Sequence, residues 1–189
     1  MMRARADLLG DPSAPAPGMG GHHSARALNE DWLTPPAILQ ALGPFDLDPC
    51  ASLKRPWDIA AKHFTIADNG LTKLWTGRCF VNPPYGPETD KWIARLADHG
   101  NGVALIFARI ETATWFEHIW PRATAVLFLK GRLTFFTPKG KPALHNGGAP
   151  SALVAYGDMN AKVLRASGIA GAYLSLHEQG RTQVELHGD

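Results

Sequence analysis

A chain of 189 residues, 45% of them hydrophobic, can bury one sizeable core, so a single domain is the simplest organisation. A formal charge of +2 permits a nucleic-acid partner without demanding one. Two cysteines, Cys50 and Cys79, exclude a disulfide framework or a cysteine zinc site, and no apolar run is long enough to span a membrane. Arg3 and Arg5 are not followed by the apolar core of a secretory signal, so a cytoplasmic protein with reduced thiols is expected.

Residues 1–28 are rich in Ala, Pro, Gly and Ser and read as a flexible tail. Residues 29–178 read as one folded domain, and 179–189 as a polar C-terminal tail. Asp31 or Thr34 is expected to cap a first helix, with Pro35 in its first turn and Ala37–Leu42 as its body, ending at Gly43. Phe45–Asp48 alternates apolar and acidic and then meets Pro49, as a first strand would. Asp48 at its end either faces solvent or serves a ligand, since open α/β sheets bind ligands at strand carboxyl ends. Residues 54–77 read as irregular, with Trp57, Phe64, Leu71 and Trp75 in the core and His63 on the surface or satisfied internally. Asp68-Asn69-Gly70 is a turn signal.

Cys79-Phe80-Val81-Asn82-Pro83-Pro84-Tyr85-Gly86 is the stretch most loaded with chemistry. A short apolar strand ends at a polar residue, and two prolines follow, each fixing its own φ and biasing its predecessor toward extended geometry. Neither proline has an N–H, so the turn offers carbonyl oxygens with no donors beside them. An Asn side-chain oxygen and a Pro carbonyl can together accept both hydrogens of one planar amine, and Tyr85 adds a ring for stacking.

A helix over Glu88–Gly100 follows, with Trp92, Ile93, Leu96 and Ala97 on one face. Val103–Ala108 and Ala125–Lys130 read as strands buried on both faces, with a helix around Trp115–Trp120 between them. Arg109 either holds a phosphate or pairs with Glu111. Residues 137–150 form a loop carrying Lys139, Lys141 and His145, which either tracks a phosphate backbone or is simply solvated. Ser151–Gly157 is a late strand, expected antiparallel. A helix over Ala161–Ser167 and a short strand over Ala172–Leu176 close the domain. Strands alternating with helices define an α/β three-layer sheet.

Asn82-Pro83-Pro84-Tyr85 resembles the catalytic motif of amino-group methyltransferases, and the wider chain resembles the small phage-type DNA adenine methyltransferases over residues 29–157. The resemblance also touches Asp48-Pro49-Cys50-Ala51-Ser52, Asp68-Asn69-Gly70-Leu71, Arg109–Phe116 and Gly131–Phe136, although the glycines usual in the cofactor loop are missing. It implies a Rossmann-like methyltransferase sheet, mostly parallel with an antiparallel late strand, and a phage or prophage origin. It implies S-adenosylmethionine as cofactor, no metal, and DNA as partner. Asn82, Pro83, Pro84 and Tyr85 would be catalytic. Trp32, Thr34, Pro35, Asp48, Pro49, Cys50 and Asp68 would contact the cofactor. Tyr85, Arg109, Thr114, Arg132, Lys139 and Lys141 would contact nucleic acid. Methyltransferases of RNA adenine or of a protein glutamine amide share the motif, and a catalytically silent DNA-binding protein of the same fold is the rival from another class.

Overall fold

The structure, a computed structural model, describes residues 31–176 and the strand at 184–187. Helix α1 spans Pro36–Leu42 and lays Ile38, Leu39 and Leu42 inward. Strands β1 (Phe45–Asp48), β2 (Ala60–His63), β3 (Cys79–Val81) and β4 (Gly102–Phe107) run parallel in the order β2-β1-β3-β4. Helix α2 (Thr89–His99) crosses from β3 to β4 and closes on Gly100, whose φ of 71° suits a residue without a Cβ. Beyond β4 the sheet turns antiparallel. β6 (Ser151–Tyr156) lies between β4 and β5 (Ala125–Leu129), and β7 (Gly171–Ser175) pairs with β5. Helix α3 (Asp158–Ala166) joins β6 to β7.

Alternation along the strands divides the core into two. Cys79, Val81, Ala104, Ile106, Val126 and Val154 point to the face covered by Trp92, Ile93 and Leu96 of α2 and by Trp115 and Ile119. Phe80, Val103, Leu105, Leu127 and Leu153 point to the other face, covered by Leu42 of α1 and by Ala161 and Leu164 of α3. The expected three-layer Rossmann-like sheet is therefore present, with β6 as the expected antiparallel late strand and antiparallel pairing continuing through β5 and β7.

Several elements depart from the sequence reading. Residues 54–77 are not wholly irregular: Ala60–His63 is the edge strand β2, and Gly70–Thr72 is a single 3₁₀ turn. With one neighbour and both faces partly open, β2 carries no apolar run to betray it. The helix expected around Trp115–Trp120 is present as a turn of π-helix over Trp115–Ile119, closed by the Trp120 N–H on the Trp115 carbonyl at 2.9 Å. Val184–His187, inside the stretch read as a polar tail, is a further strand, β8, antiparallel to β7. Main-chain pairing, which any residue can supply, selects it. The expected tail at 1–28 lies outside the described residues. Among the described residues no helix is long and apolar enough to cross a membrane.

Candidate active site

From β1 the chain moves outward to β2 and then returns across β1 to β3. The connections leaving β1 and β3 therefore diverge, and a crevice opens outside their carboxyl ends. A cavity of about 450 Å³ lies there, within the range of small-molecule sites. Its walls come from 31–34 before α1, 48–52 after β1, 82–85 after β3, and the Thr65–Gly70 turn.

Asn82 stands at the tip of β3 with its side chain held in one orientation. Its Nδ2 donates to the Trp32 carbonyl at 2.8 Å. That leaves Oδ1 as a buried acceptor without a partner in the protein. A buried acceptor left unsatisfied is unfavourable, so its presence at a cavity wall points to a donor that arrives from outside. Trp32 is itself held by the neighbouring bridge in which Leu33 and Phe136 exchange backbone hydrogen bonds of 2.8 and 2.9 Å. Pro83 and Pro84 complete the turn, Pro83 buried and Pro84 exposed.

Tyr85 does not stand free as the motif alone suggests. Its ring stacks on Phe107 at the end of β4, with centroids 4.0 Å apart, and Phe135 meets it edge-on at 6.4 Å. Its hydroxyl is buried and unpartnered, and burial holds the phenol well above its ordinary pKa, hence neutral. Phe107 and Phe135 were not singled out by the sequence. Phe107 reads there as the end of a buried strand, and only the fold sets it behind Tyr85.

Asp48 is buried at the carboxyl end of β1. Burial pushes its carboxyl up to about 7, against the opposing pull of the Cys50 N–H, which it accepts at 3.1 Å, and of Arg55. The Cys50 thiol beside it is also pushed up, by burial first and then by Asp48, so it is an inert thiol rather than a nucleophile. The sign of the pH effect follows. The folded protein keeps the Asp48 proton up to about pH 7, whereas the unfolded chain releases it near 4, so stability falls as pH rises through that window. Asp48→Asn is expected to unfold at the same urea concentration as wild type near pH 4 and at a higher one above about pH 7. Equal midpoints at pH 8 would contradict a buried carboxyl at this position.

The remaining expected cofactor residues divide. Trp32, Thr34, Pro49 and Cys50 line the cavity with Asp48. Thr34 is not a helix cap: α1 is capped by Pro35 without a side-chain bond, and the Thr34 hydroxyl is fully buried and unpartnered. Asp31 does not cap either; it is an exposed rim residue. Pro35 lies outside the lining because its place is the N-cap of α1. Asp68 also lies outside the lining. It is exposed and accepts the Thr65 N–H at 2.8 Å and the Thr65 hydroxyl at 3.0 Å, which closes the turn and lowers its pKa. Its neighbours Asn69 and Gly70 face the cavity instead. A Cβ on Gly70 would run into the Pro49 carbonyl. Gly70→Ala is therefore expected to destabilise the fold by about 1–3 kcal/mol and to weaken ligand binding at the cavity, read by urea unfolding and by calorimetric titration with S-adenosylmethionine.

The expected nucleic-acid residues also differ among themselves. Arg109, Arg132, Lys139 and Lys141 are exposed. Arg109 follows β4 and lies near Phe107, its guanidinium carbon 6.0 Å from the ring centroid. Thr114 is turned inward: its hydroxyl donates to Asp90 of α2 at 2.7 Å, which anchors the π-helical turn and removes it from the rim. His63 is satisfied, its Nε2 accepting the Ile59 and Ala60 N–H groups at 3.3 Å each. No group of three or more His, Cys, Asp or Glu among the described residues is arranged to hold a metal ion.

An α/β sheet of this order, with its cavity at the switch point and Asn-Pro-Pro-Tyr directly after β3, has the fold of a Rossmann-like methyltransferase. The chain belongs to the DNA N-6-adenine-methyltransferase (Dam) family, whose model matches residues 21–181. No curated protein and no solved structure matches it.

Proposed function

We propose that the protein transfers a methyl group from S-adenosylmethionine to the exocyclic amino group of adenine in DNA. The observation that carries this reading is the Asn82 side chain, tied to the Trp32 carbonyl through Nδ2 and leaving Oδ1 buried, unpartnered and at the cavity. When bound, S-adenosylmethionine supplies an electrophilic methyl group on a sulfonium. The cavity fits that cofactor in two respects: its volume, and a lining that includes the buried, unpartnered Thr34 hydroxyl and the Asp48 carboxyl, which accepts the Cys50 N–H. Thr34, Trp32, Asp48, Pro49 and Cys50 would hold it, and its positive charge would favour the ionised form of Asp48.

The amino nitrogen of adenine is a weak nucleophile because its lone pair is delocalised into the ring. Asn82 Oδ1 and the Pro83 carbonyl accept its two hydrogens, favour a pyramidal nitrogen and stabilise the positive charge that develops on it. Both acceptors are set before the base arrives, one by the Trp32 anchor and one by the proline backbone, so little reorganisation is needed. A base inside a duplex cannot reach this cavity, so the adenine is extruded. The Tyr85–Phe107 stack is an aromatic wall for a flat acceptor, and it favours a base over a glutamine amide.

The test is incubation with unmethylated DNA and methyl-labelled S-adenosylmethionine, followed by digestion to nucleosides. Label in N6-methyladenine is expected. Cofactor binding without label in DNA would redirect the substrate to RNA or protein, and failure to bind cofactor would end the enzymatic reading.

A further inference from the structure

Residues 118–157 contain five basic residues, Arg122, Lys130, Arg132, Lys139 and Lys141, and no Asp or Glu. Part of this run lies beside the active site for a topological reason. β4 and β5 are both antiparallel to β6, so β5 points the same way as β1, β3 and β4. The segment 130–150 between β5 and β6 therefore crosses the edge of the sheet at which Asn82 stands. Within it, buried Phe135 touches Tyr85. The Ala143 N–H donates to the Phe135 carbonyl at 2.8 Å, and the Gly147 N–H to the Leu133 carbonyl at 2.6 Å. Residues 144–146 are thus an arc pinned at both ends to the stretch that backs the catalytic tyrosine. At its start Leu144 is 97% exposed.

A single exposed leucine is ordinary on a protein surface. This one is displayed on a pinned arc, one residue from the anchor to Phe135, on a segment whose Arg132, Lys139 and Lys141 are also exposed. We propose that Leu144 is a wedge that enters the DNA base stack beside the target adenine and keeps the gap open while the base occupies the cavity at Asn82. Extruding a base leaves an unstacked gap, and an apolar side chain that fills it offsets that loss. Arg132, Lys139 and Lys141 contact the flanking phosphates and hold the arc against the duplex. The proposal rests on the DNA-adenine reading above.

The experiment compares methyl transfer to a circular single-stranded DNA and to its duplex form, for wild type, Leu144→Ala and Leu144→Phe. Leu144→Ala is expected to lower kcat/KM on the duplex by about tenfold or more and to change it less than about twofold on the single strand, which has no stack to hold open. Leu144→Phe retains duplex activity, and both variants keep the wild-type Tm. A second arm, Lys139→Ala with Lys141→Ala, weakens binding to the duplex and reduces the slope of log affinity against log salt by about 2. Equal loss on both DNA forms, no loss on the duplex, or a wild type that methylates only single strands would each overturn the wedge. A wild type that binds cofactor and methylates neither form would overturn the acceptor reading, and the wedge with it.

Discussion

Asn82→Ala is expected to lower methyl transfer to DNA by about 10²–10³-fold with little change in stability, on the scale of losing one preorganised polar group at a reacting centre. The two effects separate because of how the side chain is held. Truncation removes the Nδ2 bond to the Trp32 carbonyl, which is unfavourable by about 1 kcal/mol, but it also removes the buried Oδ1 that has no partner in the unliganded protein. The stability terms oppose each other, while the acceptor for the amino group is lost outright. Asn82→Asp keeps an acceptor and loses the donor to Trp32, so its activity is expected between those of wild type and Asn82→Ala. Single-turnover rates together with urea midpoints decide the matter. A variant that loses activity only in proportion to its folded fraction would remove Asn82 from the chemistry.

Arg78→Ala is expected to have the largest effect on stability, about 3 kcal/mol or more, read by urea unfolding. Arg78 sits at the entry to β3, in the stretch the sequence left undescribed. Its Nε donates to Asn160 of α3 at 2.6 Å, its Nη1 donates to the carbonyls of Leu42 and Pro44 at 2.6 and 2.8 Å, and its guanidinium covers the Phe45 ring at 4.3 Å. One side chain thus ties the end of α1, the start of β1 and the start of α3 to the base of the strand that carries Asn82. Asn160 is fully buried and is held further by Asn101 at 2.9 Å and Tyr156 at 2.7 Å, so removing the guanidinium leaves its Oδ1 without that donor. Arg78→Lys is expected to recover less than half of the loss, since a compact ammonium cannot span the acceptors that the planar guanidinium fork reaches or lie flat on a ring. A cost within about 0.5 kcal/mol of zero would mean that these bonds are replaced by water.

Local chemistry alone makes Asn82-Pro83-Pro84-Tyr85 a rigid turn of acceptors. A proline pair restricts its own backbone and that of its predecessor wherever it occurs, so a rigid acceptor turn at a strand tip was readable before any fold was known. The strands β4, β5 and β6 were equally legible, because a strand covered on both faces must be apolar throughout. Asp48 at the end of β1 carried its signal in the same way, through an acid beside a proline.

Other assignments needed distances that no local pattern contains. Thr34 and Asp68 are both short polar residues beside turn formers, and either can cap or bind. Folding buries the hydroxyl of cavity-lining Thr34 without a partner and leaves Asp68 closing its own turn. Thr114 looked like a rim residue until α2 brought Asp90 within hydrogen-bond reach from 24 positions away. The partners of Arg78 lie up to 82 positions away, and Phe107 stands behind Tyr85 only because β3 and β4 are neighbours. The amino-acid sequence by itself determined the strands covered on both faces and the acceptor motif, since both arise from hydrophobicity and backbone restriction within a few residues. The tertiary structure alone decided which polar atoms are left unpartnered at the cavity, because satisfaction of a buried group depends on chain segments that only folding brings together.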